Sequence, residues 1–88
     1  MNQTAIALLC DAAIIATIRH GTAKGIEFNA DKLAPIARQV IKAEIVGVMN
    51  EWETAIKANI SEANLRHMMN VQANWLAAKI ITAYQETR

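Results

Sequence analysis

The helical spacing of apolar residues lapses at only two places in this sequence, residues 21–30 and residues 59–61. Elsewhere apolar positions recur at intervals of three and four, and no run alternates apolar with polar for long enough to argue for a strand. The chain therefore reads as all-α, with three helices over about residues 3–19, 32–58 and 62–86. The arrangement expected is a single domain, residues 1–88, with a buried N-terminal helix packed on a long antiparallel helical hairpin.

Each boundary has a chemical reason. In the first helix, Asn2 or Thr4 is a candidate cap, and Gly21 follows Arg19 and His20 as a terminator. Only Gln3, Thr4 and Asp11 make a polar strip on this helix, so it is expected to be buried nearly all round. Asp31 is the expected N-cap of the second helix, with Pro35 in the first turn, where a missing N–H costs least. Ser61 caps the third helix, Glu62 favours its positive end, and Ile60 packs on Leu65 as a staple.

The second helix carries two apolar surfaces. Ala37, Ile41, Ile45, Val48, Met49, Trp52, Ala55 and Ile56 share one face, while Leu33, Ile36, Val40, Ala43 and Gly47 share another. One neighbouring helix cannot cover both. Leu33, Ile36, Val40 and Gly47 are therefore assigned to an interface with another chain. Trp75 joins them as an aromatic anchor from the third helix, and Lys79 as a polar residue that sets register.

Composition supports the same view. Hydrophobic residues make up 53% of the chain and charged ones 19%, a balance that excludes a disordered tail. An 88-residue domain buries a smaller fraction of its surface than a large one, so part of this apolar content is expected between chains, in a homo-oligomer. Nine Lys plus Arg against eight Asp plus Glu give a net charge of +1, which provides no broad attraction for nucleic acid or an anionic membrane. The basic residues Lys32, Arg38, Lys42 and Lys57 are interrupted by Glu44, Glu51 and Glu53, so nucleic acid is not an expected partner.

The single Cys10 reads as a packed thiol in a reducing compartment. The apolar stretch ending at Ile18 lacks a positive leader segment, contains Asp11, and falls short of the roughly 20 residues that span a bilayer. A cytoplasmic protein without a membrane partner is the expectation.

No constellation for chemistry emerges. Cys10, His20 and His67 lack metal-ligand spacing, Glu51 and Glu53 point to different sides of a helix, and the only serine, Ser61, is explained by capping. No catalytic residue, metal or cofactor is assigned. The most suggestive stretch is the loop holding Arg19, His20, Thr22 and Lys24, which combines basic groups, a hydroxyl and two glycines without the P-loop spacing. With Tyr84 for stacking, these residues form a candidate site for a small anionic ligand such as a nucleotide.

The function expected is that of a small non-enzymatic interaction protein. It would self-associate through helical faces and bind or inhibit another macromolecule, as accessory factors, antitoxin-like partners and phage-encoded modulators do. The alternative is an oligomeric binder that sequesters the anionic ligand.

Overall fold

The computed structural model describes residues 3–87 and is all-α, with no strand among the described residues. Helix α1 spans Gln3–Ala23, α2 spans Ala30–Lys57 and α3 spans Glu62–Glu86. Asn2, one of the two expected caps of α1, lies outside the described residues; Thr4 is already inside the helix.

α1 does not stop at Gly21. Gly21 is a buried helical residue, and the Phe28 ring occupies the space a Cβ would need there. The helix ends instead at Gly25, whose φ of 83° is the left-handed conformation that glycine adopts without strain. The Gly25 N–H donates to the Thr22 carbonyl at 3.0 Å and the Ile26 N–H to the Gly21 carbonyl at 2.9 Å, a Schellman closure. α2 ends the same way. Asn59 has φ 62°, its N–H donates to the Ile56 carbonyl at 3.0 Å, and the Ile60 N–H donates to the Ala55 carbonyl at 3.3 Å.

The start of α2 also departs from expectation. Asn29, not Asp31, is the N-cap, and its side-chain oxygen accepts the Lys32 N–H at 3.2 Å. Asp31 moves into the first turn, where its charge suits the helix dipole. Pro35 then falls deeper than the first turn, and the Asp31 carbonyl loses the N–H it would have accepted. Both residues are exposed, so water can take that carbonyl. Ser61 caps α3 as expected, its hydroxyl accepting the Asn64 N–H at 3.3 Å.

α3 is the wall the other two helices share, because the close packing runs between α1 and α3 and between α2 and α3. It buries Gln72, Ala73, Leu76, Ala77, Ile80, Ile81 and Tyr84. α1 contributes Leu9, Ala13, Ala16, Thr17 and Gly21, mostly small residues that let two backbones approach. The buried Thr17 hydroxyl donates to the Ala13 carbonyl at 2.7 Å, so no polar group is stranded there.

Two clusters form the core. Leu9, Ala13, Val48, Trp52, Ala73 and Leu76 draw on all three helices. Leu33, Ala37, Ile80 and Tyr84 form the second, with Ile26, Phe28, Ile36, Val40 and Ile41 packed against them. This corrects the assignment of Leu33 to an outward surface. Leu33 is buried, and Ile36 and Val40 are half-buried, because the connector between α1 and α2 folds Phe28 into their cluster.

α1 is not buried all round. Leu8, Ile14, Ile15 and Ile18 are exposed, since α3 covers only one stripe of the helix and the remaining circumference faces outward. The helix is also longer than its apolar stretch implied. At 21 residues, with a mean hydropathy of 1.3 over its most apolar window, it is long and apolar enough to cross a membrane, a property it shares with core helices and signal sequences.

The long axis follows α2. Its 28 residues make about 42 Å of helix, and the molecule measures 43 × 22 × 19 Å. The radius of gyration is 13.5 Å, above the roughly 12 Å of a compact domain of this length, so the flanks are large for the volume enclosed.

Candidate functional site

The groove between α2 and α3 is built by a polar interruption in an apolar arc. Gln72 lies on the buried side of α3, where an unpaired amide would be costly. It is paired on both ends. Its Oε1 accepts the Trp52 Nε1–H at 2.8 Å, and its Nε2 donates to Glu51 at 2.8 Å. Further along, Lys79 donates to Glu44 at 3.0 Å. The pairs Glu51–Gln72 and Glu44–Lys79 show residue numbers falling along α2 as they rise along α3.

These side chains frame an open recess of about 540 Å³ whose lining includes Val40, Ala43, Glu44, Trp75, Ala78 and Lys79. A second recess of about 400 Å³ shares Glu44 and Trp75 and adds Gly47, Val71 and Gln72. Small residues make room beside a large exposed ring. The Lys79 ammonium sits 4.4 Å from the centroid of Trp75, which is 46% exposed. An exposed cation–π pair is worth about 0.5–1 kcal/mol, and a half-exposed ion pair such as Lys79–Glu44 no more than that. The arrangement therefore orients the indole while leaving part of its surface uncovered.

Of the residues assigned to an interface, the structure brings Val40, Gly47, Trp75 and Lys79 into these two adjoining recesses. Leu33 and Ile36 are not among them; they belong to the Tyr84 cluster. Trp52 and Trp75, on facing helices, differ in exposure. Trp52 is core, and Trp75 is surface.

The candidate anion site is dispersed. Arg19 lines a recess with Ile15, Asn70 and Asn74, and the neighbouring His20 Nε2 lies 3.3 Å from the Asn74 side-chain oxygen. Thr22 lines a different recess, with Ile26, Glu27 and Phe28. Lys24 is exposed at the helix end, and the amides of Lys24, Gly25 and Ile26 already donate to carbonyls of α1. A cradle of free N–H groups is thus missing from this turn.

Tyr84 is equally committed. It is 8% exposed, its hydroxyl accepts the Asn29 N–H at 2.9 Å, and the same hydroxyl donates to the Glu27 carbonyl at 3.4 Å. Phe28 meets its ring edge-on at 5.0 Å, and the Lys32 ammonium stands 4.8 Å from its centroid. The ring holds the connector in place and offers no open face for stacking.

Among the described residues no group of three or more His, Cys, Asp and Glu is placed to hold a metal ion. Cys10 is half-buried; desolvation first, then the neighbouring Asp11 charge, push its thiol above the ordinary value of 9.0. That makes it less nucleophilic at neutral pH, not more.

Sequence reasoning missed Glu44 and Glu51 as partners of Lys79 and Gln72. The signal was there, since a polar residue inside an apolar arc needs a partner on the facing helix at matching height. It also missed the outward aliphatics of α1. No protein-family model, curated protein or solved structure matches this chain.

Proposed function

We propose that this chain is a non-enzymatic helical interaction protein that self-associates and binds or restrains another macromolecule. Its working body in this reading is the antiparallel hairpin of α2 and α3, with α1 laid against it. The observation that carries the reading is the placement of large apolar side chains on the outside of different helices. Leu8, Ile14, Ile15 and Ile18 stand exposed on α1, and Val71 and Trp75 stand exposed on α3. Two such surfaces suit two kinds of contact, one with a copy of the chain and one with a partner. The Trp75 recess has the ingredients of a protein-binding spot: an aromatic anchor, a floor of small residues and a charged rim.

Asp11 on the outward side of α1 supports an aqueous, cytoplasmic setting over a lipid one, because a carboxylate is expensive in hydrocarbon. The anionic-ligand alternative has less support, since Arg19 and Thr22 line separate recesses and Tyr84 is buried.

Light scattering over a dilution series tests the first element of the proposal. A mass above 9.7 kDa is expected, and a chain that stays at 9.7 kDa throughout defeats it. A thermal-shift screen with nucleotides and phosphates is expected to be flat. A shift abolished by Lys24→Ala would install the ligand reading instead.

A further inference from the structure

Three recesses adjoin along the groove between α2 and α3. Glu44 and Trp75 line both the first and the second, and Glu51 lines both the second and a third that reaches Met68 and Ile60. The groove is acidic. Glu44, Glu51 and Glu86 line it against Lys79 as its basic residue, on a chain whose net charge is +1. The second recess, of about 400 Å³, carries this furthest, since Glu44 and Glu51 line it and no basic side chain does.

Glu51 is a fixed carboxylate without a counter-charge. One of its oxygens accepts the Gln72 Nε2–H at 2.8 Å, and Gln72 is itself buried and held at its other end by the Trp52 indole. That partner is a neutral amide. The ion pairs among the described residues, Arg66–Glu62 and Lys79–Glu44, leave Glu51 out. A carboxylate held by a buried chain of hydrogen bonds beside an open recess is pre-organised for a donor from outside.

The first recess shows what kind of donor suits this wall. There the Lys79 ammonium lies 4.4 Å from the centroid of Trp75 and 3.0 Å from Glu44. The second recess pairs the same indole with a further carboxylate, Glu51, and Lys79 does not line it.

We infer that the second recess receives an arginine side chain of a partner protein, its guanidinium between the Trp75 indole and Glu51 and its stem along Gly47 and Val71. The inference rests on the reading that the chain binds another macromolecule, and it names the chemistry of that contact. A guanidinium is planar, weakly hydrated and stacks on aromatic faces, so it matches an indole wall better than a compact ammonium does. Gly47 keeps the floor low, with open space where a Cβ would stand. A free small cation would leave most of the groove uncovered. Val71 and Trp75 stand exposed at this recess, and the apolar flank continues past Glu51 to Ile60. An arginine carried in a peptide chain covers these residues with its neighbours.

Proton–nitrogen correlation NMR of the indole N–H groups on the full chain tests the inference, with Trp75→Phe assigning the signals of the two tryptophans. Nα-acetyl-arginine amide at millimolar concentration is expected to shift the Trp75 signal. Its citrulline analogue, neutral and of similar shape, is expected to leave it in place. Glu51→Gln keeps an acceptor for Gln72 but removes the charge, and is expected to weaken binding roughly two- to fivefold. Gly47→Leu fills the recess without touching a charge. At an exposed position with open space around it, this variant is expected to keep its helicity and abolish the shift, which decides the matter should Glu51→Gln unfold. Glu53→Gln, an exposed carboxylate outside the three recesses, is expected to change nothing.

A soluble helical peptide with one arginine flanked by leucines is expected to bind about tenfold tighter than the amide, the change that one further buried leucine brings. Equal affinities assign the recess to a free small cation and overturn the partner arginine. Equal shifts with the arginine and citrulline amides overturn the charge assignment, and no shift with either overturns the site. These failures leave the broader reading of a binding protein standing. A wild type that is monomeric and still binds the peptide defeats self-association alone. If Gly47→Leu halves the mass of a wild-type oligomer, the groove is the self-contact and a second copy replaces the partner as its occupant.

Discussion

The indole nitrogen of Trp52 and the side-chain oxygen of Gln72 are joined across the α2–α3 contact at 2.8 Å, with both residues buried. The bond settles two demands at once, because a buried N–H and a buried amide each need a partner and supply one another.

Gln72→Leu is therefore expected to destabilise the fold although it adds apolar surface to the core. It strands the Trp52 N–H and costs about 1–3 kcal/mol, the penalty for an unsatisfied buried donor. Urea denaturation followed by Trp fluorescence measures it. An unchanged or raised midpoint would mean that the indole finds another acceptor.

Glycine position by position gives a second contrast. Gly47 is helical and exposed with open space around it, so Gly47→Ala is expected to stabilise by about 0.5–1 kcal/mol. Gly21 is helical too, but its missing Cβ is the space the Phe28 ring fills, so Gly21→Ala is expected to lower stability despite alanine's better helix propensity. Melting temperatures of the two variants should move in opposite directions.

Pro35 stands inside α2 beyond the first turn and leaves the Asp31 carbonyl without its helical donor. Pro35→Ala is expected to raise stability by about 1–2 kcal/mol, less than the full proline penalty of about 3 kcal/mol because the unfolded chain also gains freedom. The check is the denaturation midpoint; a loss of stability would show that the ring packs where the helix geometry does not require it.

For Cys10, the folded chain holds the thiol proton more tightly than an unfolded one, through partial burial first and the Asp11 charge second. Less thiolate at a given pH means slower alkylation, so iodoacetamide is expected to react with the native protein more slowly than with the denatured chain around neutral pH. Asp11→Asn removes the second cause and is expected to speed the reaction. The linked stability is present below pH 9.0 and falls as pH rises past it, because the unfolded chain then loses its proton first.

Much of the fold was legible. The three helices, the Ser61 cap and the break at Asn59 follow from periodicity and capping chemistry, which are local properties. What failed depended on tertiary contacts that periodicity and capping chemistry do not report. Gly21 and Gly25 look equally fit to end α1, and only the Phe28 ring lying against Gly21 separates them. Asn29 and Asp31 are both good caps, and the choice between them follows from where the connector is pinned by Tyr84, 55 residues away from Asn29. The apolar arc of α1 was visible, but how much of it α3 would cover was not, since that depends on the number of helices available to pack. In the candidate groove, Trp75 and Lys79 were identifiable from their residue types, while their partner Glu44 required knowing the register of α2 against α3.

The tie between Tyr84 and the backbone of Glu27 and Asn29 bears on how the protein is made. A nascent chain leaving the ribosome can wind α1 and α2 early, yet the joint between them stays unlatched until residue 84 has emerged. Closing so long a loop is an entropic toll levied only once α3 has been made, and until then the first two helices are a hinged pair awaiting their clasp.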